Sequence, residues 1–592
     1  MKEFFRSFFA SLLAIIVSGI LMVVFFVMLV VGVAKSVTEK DTTKVSGDII
    51  EIDLTKRIHE IGENNPFAAF GEGESYKAGL YDITRAIDHA ATDNSIKGIY
   101  LKLGPTPNGW ATLQELHESL KAFRLSGKFI YGYGENITQG TYFAASAADS
   151  IFLNPSGDIE LKGFATILSF FKGTLDKLEV QPEIFYAGRF KSATEPFRVD
   201  KMSEPNKQQV KEFQNAMWAE FITAAGAYAR MSPDSIHLLA QTGAIQFPSD
   251  ALKHRLVGGL LYSDEVAKLL RRKTGKSEAD DIETVSINDY ADMVKATRTS
   301  ASSKIAVLFA EGEIVDGEQE DDYQIASQTM CEQIRKLRMN DKIKAVVLRV
   351  NSPGGSALAS EVILRELTLL KQKKPLIVSM GNYAASGGYY ISSNADSVFA
   401  LPNTITGSIG VFGMMFNFDK MAKNKLGVTF DGVKNAPYAD FPTAMRPLTA
   451  EEGAMMQRSI DTIYAKFKGR VATGRKLAPE VVDSIAQGRV WTGGKALELG
   501  LVDGLGGLDR AIASAVAKAG LTTYKIVTYP EPVDKFSSLM KRINNNTGAA
   551  AAIKAAMREE IGTGVEWLDK LKSLQRMNGR AMMAMPFVYT VE

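Results

Sequence analysis

Residues 341–402 read DKIKAVVLRVNSPGGSALASEVILRELTLLKQKKPLIVSMGNYAASGGYYISSNADSVFALP. Residues 94–155 superimpose on this stretch without a gap at an offset of 247, so that Ala148-Asp149-Ser150 meets Ala395-Asp396-Ser397. The similarity continues beyond residue 251 at an offset of 245. Self-similarity over about 200 residues per copy indicates a pair of duplicated domains rather than a solenoid of short repeats.

Short apolar strands alternate with helical patterns in each copy. In the second copy the sequence predicts strands at 305–309, 345–350 and 376–380, and helices at 325–338 and 357–372. The first copy follows the same order. Strands that alternate with helices of this length require crossover connections, which place the strands parallel and the helices on both faces. The predicted fold class is therefore α/β, with two tandem domains.

The chain divides into five predicted segments on these patterns. They are an N-terminal membrane anchor (1–40), a first repeat (45–270), a connector (271–303), a second repeat (304–535) and a C-terminal tail (536–592). The connector is charged and is expected to include a short helix. The tail has no counterpart in the repeat, and we expect only helix or disorder there.

Composition excludes several classes of function. The net charge of +2 argues against nucleic acid as a partner. The last of the five histidines is His254, so a Ser-His-Asp triad cannot lie wholly within the second copy. Cys331 is the only cysteine, which excludes an internal disulfide and a cysteine-based metal site. We expect no cofactor and no metal.

The N-terminus contains a long apolar run. Residues 8–34 are 27 residues without a charge. This exceeds the ~20 residues that span a bilayer and the roughly 7 to 15 residues of a cleaved signal-peptide core. Basic residues precede the run, at Lys2 and Arg6, and follow it from Lys35 onward, so charge bias does not settle its orientation. The run predicts one uncleaved membrane anchor.

Two glycine-flanked serines in the second copy are candidate nucleophiles. Ser408 lies in Thr-Gly-Ser-Ile-Gly, and its column in the first copy holds Leu161. Ser386 lies in Ala-Ser-Gly-Gly, and its column in the first copy holds Gln139. A serine hydroxyl is a weak nucleophile at neutral pH and needs an activating base. The structural alternative for Ser408 is a helix cap, a common role for serine beside glycine.

A glycine turn in the second copy is a candidate oxyanion site. Asn351-Ser352-Pro353-Gly354-Gly355 follows a predicted strand and opens a predicted helix. Backbone amides there can point into a cleft without an obstructing side chain, and a helix N-terminus adds partial positive charge. The first copy reads Gly104-Pro105-Thr106-Pro107-Asn108, whose prolines supply no N–H. The alternative is a tight strand-to-helix turn without a catalytic role.

The absence of histidine from the second copy restricts the base to a lysine, a carboxylate or a histidine from the first copy. Lysine suits this role if burial lowers its pKa toward ~7 to 8. Lys191 lies in a stretch with aromatic neighbours, Gly188 to Phe197. Lys434 falls within about one residue of the same column in the second copy. The residues alone leave both lysines open.

Taken together, these motifs resemble the signal peptide peptidase A family, also called protease IV, in its long, duplicated, membrane-anchored bacterial form. The resemblance covers roughly residues 1–535. The similar blocks are Asn351–Gly355, Ala385–Gly388, Thr406–Gly410, Lys191–Phe197 and Val490–Gly493.

The resemblance implies a Ser/Lys dyad, with Ser408 as nucleophile and Lys191 as general base, and Gly354 and Gly355 as the oxyanion hole. It implies tandem duplicated domains of the Clp/crotonase-like (ββα) type. In Clp-type subunits the nucleophile falls in the column of Ser386 and is served by a histidine in the region where this chain has Ser408. This chain has no histidine in that region, so Ser386 is expected to be structural or a wall of the cleft. Short, unduplicated members keep both residues in one repeat, which makes Lys434 the alternative base.

The implied function is that of a membrane-anchored serine endopeptidase. It would degrade cleaved signal peptides and other unfolded or membrane-released peptides. A homotetramer is expected, held by one membrane-spanning helix in the bacterial inner membrane, with the catalytic domains on the periplasmic side. Two alternatives remain: an inactive scaffold of the same fold, and a crotonase-like acyl-CoA enzyme, which fold alone would allow.

Overall fold

The computed structural model describes residues 17–18, 47–64, 76–277, 280–296, 301–319, 323–530, 533–534 and 579–585. The predicted membrane anchor falls almost entirely outside the described residues. Among those that are described, no helix combines the length and the apolar character that a membrane crossing requires.

The first half of the chain alternates strands and helices as predicted. Its strands are β1 (Ile49–Asp53), β2 (Glu63–Asn64), β3 (Tyr76–Lys77), β4 (Gly98–Leu103), β5 (Phe129–Ile137), β6 (Ser150–Ile159), β7 (Gln181–Ala187), β8 (Gly259–Leu260) and β9 (Thr284–Ser286). Its helices are α1 (Leu80–Thr92), α2 (Trp110–Arg124), α3 (Gln139–Ala145), α4 (Lys172–Leu178), α5 (Glu195–Arg198), α6 (Glu204–Ala229), α7 (Pro233–Gln241), α8 (Pro248–Lys253), α9 (Ser263–Thr274) and α10 (Ile287–Ala296).

The second half repeats the pattern. Its strands are β10 (Lys304–Glu311), β11 (Glu313–Val315), β12 (Gln324–Ala326), β13 (Ile343–Ser352), β14 (Gly354–Ser356), β15 (Leu376–Ala385), β16 (Ser397–Ala400), β17 (Ile405–Gly407), β18 (Val411–Asn417), β19 (Val490–Thr492), β20 (Gly504–Leu505), β21 (Lys525–Tyr529), β22 (Val533–Asp534) and β23 (Ala581–Ala584). Its helices are α11 (Ser327–Met339), α12 (Ala357–Lys371), α13 (Gly387–Ser392), α14 (Asp419–Met421), α15 (Ala450–Arg475), α16 (Pro479–Ile485), α17 (Gly493–Glu498) and α18 (Leu508–Lys518).

Each half is built on its own largely parallel sheet. The first sheet has the order β8-β6-β5-β4-β1-β9, and the second runs β19-β17-β15-β13-β10-β21. Along β10, alternate residues face opposite sides: Ile305 and Val307 pack in one apolar cluster, Ala306 and Leu308 in another. Apolar side chains on both faces are what a helix-covered parallel sheet requires. The prediction of an α/β fold with a largely parallel sheet in each copy is confirmed for the described residues.

The segment predicted as a connector is partly integral to the first domain. It contains the expected short helix, α10, but its residues 284–286 form β9, which pairs in parallel with β1. Val285 and Tyr290 are buried in the core of the first half. The charged composition obscured these apolar positions, because a short edge strand and one amphipathic helix need only a few of them.

A third sheet joins the two halves, and the sequence did not predict it. Its order is β12-β11-β14-β23-β18-β7. Strand β7 comes from the first repeat and lies antiparallel to β18 of the second, with Ala187 opposite Val411. Strand β23 comes from the C-terminal tail and lies antiparallel between β14 and β18. The expectation of only helix or disorder in the tail is therefore wrong for residues 581–584, where a short apolar strand gains hydrogen-bonding neighbours on both edges.

A buried ion cluster also joins the halves. The Arg349 guanidinium on β13 donates to Glu60 at 2.8 Å and to Glu115 at 2.7 Å, and its side chain has no exposed surface. Both carboxylates come from the first half. Burial raises the pKa of Glu60 to about 7, although the neighbouring guanidinium counteracts the rise. The two repeats are thus joined by an ion cluster that is almost completely buried.

We expect Arg349→Met to lower the free energy of unfolding by about 3–5 kcal/mol, because it leaves two buried carboxyls without a cation. Urea denaturation followed by circular dichroism measures the loss. Arg335→Met is the matched control: this guanidinium bonds Glu366 at 2.9 Å, but its side chain is 53% exposed, so its loss should cost about 1 kcal/mol or less. Equal stability of the two variants would show that the cluster does not hold the repeats together.

Candidate active site

The pairing of β7 with β18 brings two distant segments of the chain to the same place. In this antiparallel register Ala187, the last residue of β7, lies opposite Val411, the first residue of β18. Residues that follow β7 therefore meet residues that precede β18. Lys191 comes four residues after Ala187, and Ser408 comes three residues before Val411. The duplicated sheets alone would not bring these two side chains together.

Ser408 lies in a strained turn between β17 and β18. Its φ is +50°, a left-handed conformation that is uncommon for a residue with a side chain. The turn is fixed because the Ser408 N–H donates to the Arg489 carbonyl at 2.7 Å and β17 pairs with β19. The alternative of a helix cap is wrong, since the elements on both sides of Ser408 are strands. Strain held by the surroundings in this way is frequent at functional sites.

Lys191 contacts both candidate serines. Its Nζ lies 3.0 Å from Ser408 Oγ, 2.9 Å from Ser386 Oγ and 3.4 Å from the Ser408 carbonyl oxygen. All three acceptors are uncharged, and the lysine is buried. Burial lowers the pKa of Lys191 from 10.5 to about 7, because a charged amine loses its hydration there. A lysine with this pKa is partly neutral at physiological pH and can accept a proton.

Ser386 lies closer to the candidate base, Lys191, than the sequence indicated. It too has an unusual backbone conformation for a residue with a side chain, with φ +55° and ψ −113°, and its N–H donates to the Gly407 carbonyl at 2.8 Å. Its hydroxyl is fully buried beside Lys191 Nζ. The expected role of Ser386 was structural or that of a cleft wall, whereas the structure places its hydroxyl within hydrogen-bond distance of the candidate base. The one available signal was its glycine flanks together with the loss of serine from the first copy.

Lys434, the alternative base, lies elsewhere. It is exposed in the loop between α14 and α15, where its Nζ donates to Asp440 at 3.0 Å and to the Pro437 carbonyl at 3.3 Å. The structure therefore brings Lys191 to Ser408 and leaves Lys434 in an exposed ion pair.

One glutamine fixes the position of Lys191, although nothing in the sequence pattern predicted this role. Gln209 on α6 donates to the Phe190 carbonyl at 3.2 Å and to Ser192 Oγ at 3.0 Å, so it binds the residues on both sides of Lys191. Its Oε1 accepts from the Val490 N–H at 3.3 Å. Because β19, which begins at Val490, also supports β17, one glutamine links the lysine segment to the serine segment.

The glycine turn is present as predicted, but its amides are engaged. Gly354 has φ +99°, a region that other residues avoid. Its N–H donates to Ser352 Oγ at 3.1 Å. Gly355 pairs with Ile314 of β11. The two backbones are so close that a Cβ atom added at Gly355 would lie 2.0 Å from the Ile314 carbonyl oxygen. The turn therefore needs glycine, and a ligand of the Gly354 amide would have to replace Ser352.

The family to which the chain belongs is decided by the match of both halves to one sequence model. The model described as "Peptidase family S49" matches residues 122–277 and 368–522, one match in each repeat. The chain belongs to peptidase family S49. A second model, "Clp protease", matches residues 296–406 of this S49 peptidase, which contain the glycine turn and Ser386.

Three curated relatives extend the S49 assignment. "Protease 4" of Salmonella typhi is 39% identical over 79% of this chain and 77% of its own. "Serine protease SPPA, chloroplastic" of Arabidopsis thaliana is 31% identical over 84% of this chain and 75% of its own. "Putative signal peptide peptidase SppA" of Enterococcus faecium is 32% identical over 51% of this chain and 90% of its own. The S49 chain is a serine peptidase, so neither the inactive scaffold nor the acyl-CoA enzyme is supported.

Proposed function

We propose that this S49 peptidase hydrolyses peptides with a Ser/Lys dyad, with Ser408 as the nucleophile and Lys191 as the general base. The observation that carries the proposal is the 3.0 Å contact between Lys191 Nζ and Ser408 Oγ in a fully buried site. Neither repeat holds both groups, so the duplication divides the catalytic apparatus between its two copies. Each half alone should be inactive.

In the proposed mechanism, neutral Lys191 takes the proton of the Ser408 hydroxyl, and the serine oxygen attacks the carbonyl carbon of the scissile bond. The ammonium then gives that proton to the leaving amine as the C–N bond breaks. Lys191, neutral again, deprotonates a water molecule that attacks the carbonyl carbon of the serine ester. As the ester C–O bond breaks, the ammonium returns the proton to Ser408 Oγ and the second product leaves with the new carboxyl group. Each cycle returns the serine and the lysine to their starting forms.

The oxyanion is proposed to bind at the glycine turn, through the amides of Gly354 and Gly355. In support, this turn follows β13 at the end of the second sheet where β17 leads into Ser408. The Gly354 N–H must exchange its bond to Ser352 Oγ for one to the oxyanion. The exchange is favourable because a hydrogen bond to a charged oxygen is stronger than one to a neutral hydroxyl.

Ser386 is proposed as a positioning residue. Its Oγ accepts from Lys191 Nζ at 2.9 Å, nearly the distance to Ser408. The Ser408 carbonyl oxygen, 3.4 Å from the same nitrogen, is the second acceptor. With both N–H groups engaged in this way, the nitrogen lone pair is directed toward the Ser408 hydroxyl. The neutral lysine can therefore be held toward Ser408 without a charged partner, which would otherwise raise its pKa.

The proposed substrates are cleaved signal peptides and other unfolded or membrane-released peptides. The resemblance of the motifs to the signal peptide peptidase A family supports this class, as does the name of the Enterococcus relative. We further propose a homotetramer anchored in the bacterial inner membrane by residues 8–34, with the catalytic domains in the periplasm. Retention of the protein in membranes after an alkaline wash, and the mass of the detergent-solubilised particle, are the deciding measurements.

The dyad is tested by the dependence of peptide hydrolysis on pH. Because the neutral lysine is the active form and its pKa is about 7, kcat/KM should rise about tenfold per pH unit below pH 7 and level off above about pH 8. Lys434→Ala should give the same profile, since Lys434 lies in an exposed ion pair. A profile that is flat from about pH 5 to about pH 9 would exclude a lysine base with this pKa.

A further inference from the structure

The last described residues of the chain lie beside the active site. Strand β23 runs antiparallel to β14, with Ala584 opposite Gly354, and antiparallel to β18, with Met582 opposite Phe412. One residue farther on, the Met585 N–H donates to the Pro353 carbonyl at 2.7 Å. The tail thus forms backbone bonds to the glycine turn on one side and to the strand after Ser408 on the other.

The backbone of the tail touches the candidate oxyanion turn itself. A Cβ atom added at Gly354 would lie 2.0 Å from the Met583 carbonyl oxygen, and one added at Gly387 would lie 3.1 Å from the same oxygen. Both glycines thus leave room for a peptide carbonyl of an extended chain. A carbonyl of the protein's own tail therefore lies against the turn at which the oxyanion of a cleaved peptide is proposed to bind.

Side chains of the tail alternate between two sets of walls. Met582 and Ala584 pack in one cluster with Ala193, two residues after Lys191, and with Phe412. Met585 packs on the other side, in a cluster that includes Ala385, the residue before Ser386, and Ile405, the start of β17. This alternation is that of a strand bound in a two-walled channel.

The sequence of the tail also suits the channel. Residues 581–585 read Ala-Met-Met-Ala-Met, which is uncharged, and Met582 to Met585 are all buried. The segment is anchored at its N-terminal end, where Arg580 donates to Asp316 at 3.1 Å.

With the tail in place, the catalytic groups are closed to solvent. Ser408 and Ser386 have no exposed surface, and Lys191 is 1% exposed. No peptide can reach Ser408 Oγ unless a covering segment moves. The tail is the segment that fits this role, because it is remote in sequence from every other wall of the channel and is a single short strand.

We propose that residues 581–585 occupy the substrate channel in cis, and that peptide substrates displace them and bind as an antiparallel strand between β14 and β18. The described form is then the latent form of the enzyme. This inference rests on the proposed function, because it takes Ser408 and Lys191 as the reacting groups. The apparent affinity of a peptide substrate is then its affinity for the open channel multiplied by the fraction of molecules whose channel is open.

The test is a reversible lock in the full-length protein. Phe412→Cys combined with Met582→Cys places two thiols on a directly paired position of β18 and β23, where facing Cβ atoms are about 4.5–5.5 Å apart. The natural thiol, Cys331, is buried. Oxidation of the double variant should lower kcat/KM for a fluorogenic peptide at least tenfold, and reductant should restore it. The single variant Met582→Cys should not respond to oxidant.

A second readout separates the tail from the dyad. In the Ser408→Ala background, binding of an uncharged fluorescent peptide is measured by anisotropy, with the disulfide formed and then reduced. We expect the oxidised form to bind at least tenfold more weakly. Equal binding in a cross-linked protein, verified by mass spectrometry, would overturn the channel proposal. Loss of the dyad proposal would show differently: Ser408→Ala would cleave the peptide, while the contrast between locked and unlocked protein persisted.

Discussion

We expect Ser408→Ala to lower kcat/KM for a fluorogenic peptide by about 10⁴-fold or more, whereas Ser386→Ala should lower it only about tenfold. Loss of a nucleophile removes the covalent pathway, and what is left comes from binding and the oxyanion site. Loss of Ser386 removes one neutral hydrogen bond to Lys191, a contribution of up to about 1.4 kcal/mol, which corresponds to a factor of about ten. Steady-state kinetics on the two variants, with circular dichroism to verify folding, measures the difference.

This comparison is needed because distance alone does not choose between the serines. Lys191 Nζ lies 2.9 Å from Ser386 Oγ and 3.0 Å from Ser408 Oγ, and both serines have positive φ. Ser408 is favoured because it lies in the turn that leads into β18, whose edge faces the channel. A serine-reactive phosphonate should label Ser408 in the parental protein and in Ser386→Ala. A label on Ser386, with Ser408→Ala active, would reverse the two roles.

The two parallel sheets could be predicted because each is encoded locally. Alternating apolar residues and short helical patterns recur within each copy, and the observed β10 (Lys304–Glu311) and α12 (Ala357–Lys371) agree with the predicted ranges to within about two residues. The third sheet could not be predicted in this way. It pairs β7 with β18, which are more than 200 residues apart in the chain. The residue pattern of neither strand indicates which strand it pairs with.

The residues of the active site show the same difference between local and long-range information. Glycine flanks and the absence of histidine from the second copy reduced the candidates to two serines and a few types of base, because these features are local or compositional. The choice of Ser408 and Lys191 came from the resemblance to a known family. The contact between Lys191 and Ser386, the linking role of Gln209 and the position of β23 all follow from long-range packing. The prediction for the C-terminal tail was the largest error. Five apolar residues are too few to predict a strand that forms only between two neighbouring strands.

The second large effect concerns Lys191. We expect Lys191→Met to lower kcat/KM by about 10³- to 10⁴-fold, near the upper end of what general bases contribute. Lys191→Arg should be as inactive, because a guanidinium keeps its proton at every accessible pH. Lys434→Ala should cleave at the parental rate. The opposite result, an inactive Lys434→Ala beside a fully active Lys191→Met, would assign the base to the second repeat.

Stability provides a control that distinguishes a catalytic lysine from a structural one. In the unfolded chain lysine has a pKa near 10.5, while in the folded protein burial lowers the pKa of Lys191 to about 7. Between these values the unfolded state binds more protons, so at pH 7 to about pH 10 stability rises with pH and the buried amine is a net cost. Lys191→Met removes that cost while filling a similar volume. We therefore expect the inactive variant to unfold at an equal or higher urea concentration at pH 8, and a clear drop in stability would mean that Lys191 acts chiefly as a structural residue.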